Sequence, residues 1–340
     1  MRSQPTYSRS MRFRRGAALL CCLLTLFMLF SACTIQARQP AATAGTTGQP
    51  VPGGAPSADL PQSGMLFWQV TDPETGGVLY LMGSIHTADD SLYPLPQVVT
   101  EAYQHADSLA VEADILALEN DPAAMAEAAA LMVYSDGTTI RDHLPADLYQ
   151  SAKKQLSDAG AYNAAYEWMK PGMWSSALDN LALDAAGLDS DKGVDLYFLK
   201  QAAQTGKRII EIESVMAQYE MLAGFSDETW AMLMQPAVDD PAGQAEEAKK
   251  MYSLWKSGDF DAFSAYVAEE PEGLSQKEQQ LYAAYQWEMI DDRNVGMAQK
   301  AIELLKSGET CFFIVGAAHM AGETGVVSAL QNAGFTVTQR

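Results

Sequence analysis

The stretch VLYLMGSIH, residues Val78–His86, decides the fold together with a second stretch of the same kind, CFFIVGAAH, residues Cys311–His319. Each is an apolar run that ends in Gly-x-x-His, and together they hold two of the four histidines of the chain. A short apolar run bounded by glycine predicts a buried strand. A histidine just after such a strand lies at the carboxyl edge of a sheet, where α/β proteins build their sites. Two neutral imidazoles brought together from distant strands favour a metal site.

Other short apolar runs predict further strands, and most of them lie near the two ends of the chain. These runs cover residues 66–70, 108–112, 207–212 and 336–339. Residues 121–204 and 216–305 have a helical pattern with glycine and proline interruptions. The terminal strands must pair to bury their apolar faces. We therefore predict an α/β (α+β-like) fold: one domain with a small central sheet built from N- and C-terminal strands, and a large helical insertion.

The N-terminal segment predicts export. Residues 1–33 combine five arginines with an uncharged, mostly apolar run, which is too short for an ordinary transmembrane helix of about 20 residues. The run ends in Ser31-Ala32-Cys33, which resembles the lipobox of bacterial lipoproteins and predicts a lipid on Cys33; an uncleaved signal anchor is the alternative. Residues 34–63 predict a flexible tether and residues 64–340 the folded domain. We expect a lipid-anchored protein whose domain faces the extracellular or periplasmic side of the cell membrane.

The charge and cysteine content exclude some classes of protein. The formal net charge is −21, and removal of the leader would remove five arginines and no acids. A surface this acidic repels nucleic acid and anionic headgroups. We therefore expect no nucleic-acid partner. The excess acid also fits a solubilising coat. Cys311 is the one cysteine after Cys33, which leaves no disulfide framework within the folded domain.

Several separated blocks resemble the TraB/GumN family, which includes the animal Tiki metalloproteases. The resemblance covers residues 64–339, essentially the whole predicted domain. One block would be weakly specific, whereas the ordered set is specific. The blocks are Leu81–His86, Leu109–Glu112, Gly193–Asp195, Ile212–Val215 with Gln218, Asp292–Asn294 and Gly316–Gly325.

The resemblance implies metal-dependent hydrolysis of peptide bonds, with manganese or cobalt as the metal. It makes His86 and His319 metal ligands together with an acidic residue. Glu112 ends a predicted strand and is the candidate acidic ligand or general base; the alternative is a solvated acid at a strand end. A mixed set of imidazole and carboxylate donors also suits zinc or iron.

Glu213 and Arg293 complete the candidate catalytic set. Glu213 follows a predicted strand and is expected to reach the same sheet edge, or else to cap a helix or form a structural ion pair. Arg293 is expected to pair with a site carboxylate or to stabilise a developing oxyanion. The alternative for Arg293 is an ion pair on a helix surface with the neighbouring acids.

Three functions follow from these residues. The first is a membrane-tethered, metal-dependent hydrolase that cleaves a peptide or protein substrate. The second is a non-catalytic surface lipoprotein that binds a ligand, haem or a metal on the same fold. The third is hydrolysis of a non-peptide ester or amide by the same residues. The chain has no His-Glu-x-x-His sequence, which excludes an ordinary zincin.

Overall fold

The computed structural model describes residues 62–340. Six strands form one sheet, and their bounds are β1 Phe67–Thr71, β2 Val78–Ser84, β3 Ser108–Val111, β4 Arg208–Glu211, β5 Thr310–Gly316 and β6 Thr336–Gln339. The predicted α/β class, with a central sheet and many helices, is confirmed. All seven residues of β2 and all four of β3 are buried, as their continuous apolar sequence requires.

The strand order across the sheet is β4-β3-β5-β2-β1-β6. The first four strands in this order run parallel to one another, whereas β1 pairs antiparallel with both β2 and β6. β1 and β2 form a hairpin in which Thr71 pairs with Val78. Strands from both ends of the chain thus meet in the middle, where β5 lies between β3 and β2.

The helices occupy most of the rest of the described chain. Their bounds are α1 Gln97–His105, α2 Ile115–Glu119, α3 Pro122–Leu131, α4 Ile140–His143, α5 Ala146–Asp158, α6 Pro171–Ala186, α7 Val194–Thr205, α8 Val215–Gly224, α9 Asp227–Asp239, α10 Pro241–Lys256, α11 Phe260–Val267, α12 Gln276–Gln286, α13 Asp292–Lys306 and α14 Val326–Asn332. Many begin at a side chain that accepts an exposed N–H of the first turn. These caps are Asp114, Asp121, Ser214, Ser226, Asp240, Asp259 and Ser275.

Two apolar cores organise the molecule. One lies on the sheet and includes Phe67, Phe312 and Phe313, all fully buried. The other lies within the helical insertion and includes Trp174 and Trp230. Two chain segments link the helical core to the carboxyl edge of the sheet: Ala113 follows β3, and Val215 begins α8 just after β4.

A 3-10 turn, Ala317–Met320, follows β5, and α14 starts only at Val326. At the start of the described chain, Gln62 and Ser63 donate hydrogen bonds to the carbonyls of Gln339 and Arg340. The predicted leader and most of the predicted tether lie outside the described residues. No helix within residues 62–340 is long and apolar enough to cross a bilayer.

Candidate active site

Four neighbouring parallel strands each deliver one functional side chain to the carboxyl edge of the sheet. In the strand order β4-β3-β5-β2, the corresponding side chains are Glu213, Glu112, His319 and His86. Each follows the last residue of its strand by no more than three positions. The register places Ser84 of β2 opposite Gly316 of β5. Both Gly-x-x-His segments therefore leave the sheet at the same level. The topology explains how residues separated by more than 200 positions in sequence reach one place.

Three of these side chains surround Gly316. A Cβ atom at Gly316 would lie 3.2 Å from Glu112 Oε1, 3.6 Å from His319 Cδ2 and 3.8 Å from His86 Nε2. The glycine has φ −51° and ψ 138°, a conformation open to any residue, so backbone strain does not require it. The missing side chain instead leaves a small polar space between two imidazoles and a carboxylate.

His86 is oriented by a largely buried carboxylate. Its Nδ1 lies 2.6 Å from Asp195 Oδ2, and the other oxygen of Asp195 accepts the Ser84 hydroxyl at 2.6 Å. A carboxylate only accepts, so Nδ1 carries a proton, and Nε2 is the ring nitrogen near Gly316. Burial alone would lower the pKa of His86, but the Asp195 carboxylate, helped by Glu112, raises it. Asp195 lies in the first turn of α7, which follows Gly193. A Cβ at Gly193 would lie 2.5 Å from the His86 carbonyl oxygen, so only glycine allows this approach.

His319 is fully buried and oriented in the same way by a neutral partner. Its Nδ1 lies 2.8 Å from the carbonyl oxygen Oδ1 of Asn294, on α13, so Nδ1 is the donor. Its Nε2 has no hydrogen-bond partner among the described residues. Burial and the nearby Arg293 cation lower the pKa of His319 to about 3. The ring is therefore neutral at physiological pH and presents an unpaired lone pair within the protein.

Arg293 binds both acids. Its Nη2 donates to Glu112 Oε2 at 2.7 Å and to Glu213 Oε2 at 2.8 Å, while its Nε donates to Glu213 Oε1 at 3.0 Å. The Arg293 side chain is only 9% exposed. Gln218, on α8, supports Glu213 with a further hydrogen bond of 3.0 Å. Of the alternatives open from sequence, Arg293 pairs with the site carboxylates rather than with acids on the helix surface.

Glu112 is an anion held by several donors. Its Oε1 accepts the Gly316 N–H at 2.5 Å, and its Oε2 accepts from Arg293. Burial alone would raise the pKa of Glu112, but the Arg293 cation, helped by its other neighbours, lowers it to about 2. Glu112 Oε1 lies 3.9 Å from His319 Nε2. Because the His319 ring is neutral, this contact sets a carboxylate beside a lone pair and is not an ion pair.

The two histidines and Glu112 fit a divalent metal in donor chemistry. Both rings hold Nδ1 in a hydrogen bond and leave Nε2 for a ligand, which is the arrangement that metal-binding histidines almost always have. His319 Nε2 is an orphaned buried nitrogen, and the space at Gly316 lies between the donors. The donor atoms do not form a complete ligand shell in this structure. Within residues 62–340, no three histidine, cysteine or acidic side chains lie close enough together to hold a metal ion.

A histidine outside this site shows which feature is distinctive. His143 also has an acidic partner, with its Nδ1 2.7 Å from Asp227 Oδ2. Its Nε2, however, is bonded to the Thr138 hydroxyl at 2.7 Å. A histidine–aspartate pair is thus not enough to mark a site in this chain. What sets His86 and His319 apart is that their second nitrogens face a common space.

The structure brings together every site residue predicted from sequence: His86, Glu112, Glu213, Arg293 and His319. It also adds three that sequence reasoning did not assign to the site: Ser84, Asp195 and Asn294. All three stand in blocks that carry the family resemblance, but the blocks do not say what each side chain does. An acid in a first helical turn, such as Asp195, also fits simple helix stabilisation.

Alanine at Gly316 is expected to leave the fold intact and to weaken metal binding at least about tenfold. The backbone angles suit alanine, whereas the new methyl group occupies the space between the donors. Isothermal titration of wild type and Gly316→Ala with Mn²⁺ measures the effect, with Gly296→Ala as control, since a Cβ at Gly296 meets nothing within 4 Å. Equal affinities in the two folded variants would show that the space is not the binding site.

A known protein family matches this chain over nearly all the described residues. The model of the TraB/PrgY/gumN family matches residues 66–339. A protein named metalloprotease TIKI2 from Xenopus tropicalis is 25% identical over 76% of this chain and 57% of its own length. The TIKI2 protein of Danio rerio is 24% identical over 80% of this chain and 60% of its own length. The uncharacterized protein YbaP of Escherichia coli is 26% identical over 45% of this chain and 55% of its own length. The chain thus spans less than two thirds of each of these relatives, and no solved structure matches it.

Proposed function

This chain belongs to the TraB/PrgY/gumN family, and we propose that it is a metal-dependent hydrolase that cleaves peptide bonds. The proposal is supported by the convergence of His86, His319 and Glu112 on the space at Gly316. It is also supported by the relatives named as metalloproteases, although their names describe those proteins and not this one. Manganese or cobalt is the proposed metal, and the donor set equally suits zinc or iron.

The proposed ligands are His86 Nε2, His319 Nε2 and a Glu112 oxygen. A divalent metal supplies Lewis acidity, which polarises a peptide carbonyl and lowers the pKa of water. Asp195 and Asn294 fix the two rings so that both lone pairs face the reacting space. Glu112 is ionised at neutral pH and is the candidate proton acceptor or ligand. Arg293 and Glu213 act as positioning residues, because their hydrogen bonds hold Glu112 and each other.

A direct test incubates the full chain, reloaded separately with Mn²⁺, Co²⁺, Zn²⁺ or Fe²⁺, with a random peptide library and identifies new termini by mass spectrometry. The proposal predicts cleavage that a chelator abolishes and that one of the metals restores. Cleavage that survives complete removal of metal would contradict metal dependence. No cleavage with any of the four metals would contradict hydrolysis of peptides.

Alanine at Asp195 or Asn294 is expected to weaken metal binding by about 10–100-fold, although neither side chain is a proposed ligand. Loss of Asp195 frees His86 to adopt the other tautomer, and loss of Asn294 does the same for the buried His319. Competition of each variant with a metal-binding dye measures the affinity. Asp227→Ala, which removes the partner of His143, is the matched control and should bind metal like wild type.

A non-catalytic binding protein is the second candidate, and one observation favours it. Both oxygens of Glu112 are already engaged by Gly316 and Arg293, and Glu213 is engaged by Arg293 as well. A carboxylate held in this way, with its pKa lowered to about 2, is a weak proton acceptor, whereas two imidazole nitrogens remain for a ligand. Stoichiometric metal binding without cleavage in the library experiment would favour this candidate.

A lipid anchor at Cys33 is part of the proposal and rests on the sequence alone. Replacement of Cys33 by alanine is expected to move the protein from the membrane fraction to the soluble fraction, because a lipid on Cys33 would be the attachment to the bilayer. Fractionation and immunoblotting of cells that express each form measure the change. Cys311→Ala, a buried cysteine in β5, is the control. Wild type and Cys33→Ala in the same fraction would contradict the anchor.

A further inference from the structure

The helix that carries Arg293 and Asn294 also carries an exposed apolar stripe. Among the described residues, three large hydrophobic side chains are exposed, and two of them lie on this helix: Trp287, 56% exposed, and Val295, 54% exposed. Asn294, next to Val295, is fully buried in the candidate site. The stripe therefore lies on the outer side of the same helical segment whose inner side orients His319.

A π-helical turn sets Trp287 on this outer side. The turn spans Trp287–Asp291, and the Asp292 N–H bonds to the Trp287 carbonyl five residues earlier. The extra residue shifts the helix face, so that Met289 is buried with Arg293 and Asn294 while Trp287 is exposed. Such turns occur often at functional sites. A partner that covers the exposed tryptophan ring would remove apolar surface from water, which favours binding. Asp291 accepts a hydrogen bond from Thr324, five residues after His319, which joins the stripe to the His319 loop.

An acidic groove lies beside the stripe. Its volume is about 510 Å³, and its lining includes Glu269, Glu270, Asp291, Tyr282 and Gln286. The lining, all from described residues, contains no lysine or arginine. Within the described residues, no cation forms an ion pair with Glu269 or Glu270. Two lining residues flank the π-helical turn: Gln286 directly precedes Trp287, and Asp291 ends the turn that Trp287 begins.

We infer that this surface is where the substrate docks, and that the substrate is an extended peptide with a lysine or arginine near an apolar side chain. The apolar side chain packs on Trp287 and Val295, and the cation lies in the acidic groove. The charges select this occupant, since the acids repel both an anionic lipid surface and a second copy of this acidic chain. The inference rests on the proposed peptide hydrolysis and gives it a substrate class.

Binding of peptides measures this inference independently of turnover. Three fluorescein-labelled decapeptide libraries serve as probes: one contains leucine and arginine at spacings of one to five residues, the second has serine in place of leucine, and the third has glutamate in place of arginine. The full chain is titrated with each library, and fluorescence anisotropy reports binding. His319→Gln serves as a background without the proposed reaction.

The leucine–arginine library is expected to bind at least about tenfold more tightly than either of the others. Trp287→Ala is expected to remove the preference for leucine with a loss of about tenfold or more, and Trp287→Phe to restore most of it. Trp168→Ala is the matched control, since Trp168 is 52% exposed on the helical insertion. Glu270→Gln is expected to reduce the preference for arginine, and salt to weaken it further.

The outcomes separate the inference from the proposed function. Leucine- and arginine-dependent binding that depends on Trp287, without any cleavage, would support the docking surface and contradict the hydrolase. Cleavage of peptides with Trp287→Ala indistinguishable from wild type would leave the hydrolase and overturn the docking surface. Equal binding of the three libraries, or equal losses in Trp287→Ala and Trp168→Ala, would also overturn it.

Discussion

Replacement of His319 by glutamine is expected to reduce peptide hydrolysis by about three orders of magnitude or more. His319 is fully buried, its Nε2 has no hydrogen-bond partner among the described residues, and this nitrogen lies 3.9 Å from the Glu112 oxygen beside Gly316. Glutamine fills much of the imidazole volume, so the fold is retained while one of the two imidazole donors is lost. The rate of cleavage of a substrate found for wild type, at equal protein concentration, gives the effect.

A matched variant controls for the loss of any histidine. His143→Gln removes a histidine that also has an aspartate partner but whose Nε2 is bonded to Thr138. This variant is expected to retain the wild-type rate. Circular dichroism of both variants checks that they are folded. A folded His319→Gln protein with more than a tenth of the wild-type rate would contradict the role given to His319.

Replacement of Arg293 by methionine is expected to lower the free energy of unfolding by about 3–5 kcal/mol at pH 7. Methionine keeps much of the apolar stem, but Glu112 and Glu213, whose side chains are 12% and 18% exposed, are left as largely buried carboxylates without their shared cation. Urea denaturation followed by tryptophan fluorescence measures the change. Arg141→Met is the control, because Arg141 is 59% exposed where it pairs with Glu167, and a small change is expected there.

The pH dependence of the Arg293→Met effect has a definite sign. In the wild type, the pKa of Glu112 is lowered to about 2, so its contribution to stability is present above the ordinary pKa of 4.5 and is lost as pH falls through about 2. Without Arg293, the pKa of Glu112 is expected to rise, because burial still favours the neutral acid and the largest opposing contribution is lost. Protonation then relieves the unpaired charge. The deficit of the variant is therefore expected to shrink as pH falls from 7 towards 4. A deficit that stays constant over this range would contradict the pairing.

Conversion of both glutamates to glutamine in the variant should recover stability at pH 7.

The sheet was largely predictable from sequence because its strands are short apolar runs with clear boundaries. Strands β3 and β4 lie within the predicted runs at residues 108–112 and 207–212. Strands β2 and β5 each end just before the histidine of a Gly-x-x-His segment. The parallel pairing of β2 with β5 was not readable from periodicity, since the two strands are separated by more than 200 residues. The expectation that the two ends meet followed only from the need to bury both apolar runs.

The orientation of the histidines was beyond sequence reasoning for a physical reason. The hydrogen bonds that His86 and His319 donate to Asp195 and Asn294 cross between elements that lie far apart in the chain, and no spacing rule links these partners. The π-helical turn before α13 also leaves no periodic signal, because one extra residue shifts the pattern of a helix only locally. The family blocks pointed to these segments without stating what each side chain does.

The roles of Glu213 and Arg293 show what the structure adds to a list of candidate residues. From sequence, each was open to a catalytic or a structural interpretation. The hydrogen bonds join Glu213, Arg293 and Glu112 into one buried network. Mutation of any of the three therefore affects the other two, and loss of activity alone would not identify a catalytic residue. Stability and metal affinity must be measured with the rate.

We propose that His86 and His319 hold one metal ion between them, and the metal content of the full chain and of its His86→Gln and His319→Gln variants shows whether they do. Each protein is stripped, reloaded separately with manganese, cobalt, zinc or iron, desalted and measured by mass spectrometry. We expect one metal ion per wild-type chain and loss of that ion in both folded variants. Metal retained at full occupancy by either variant, or no metal in the wild type with any of the four ions, would contradict it.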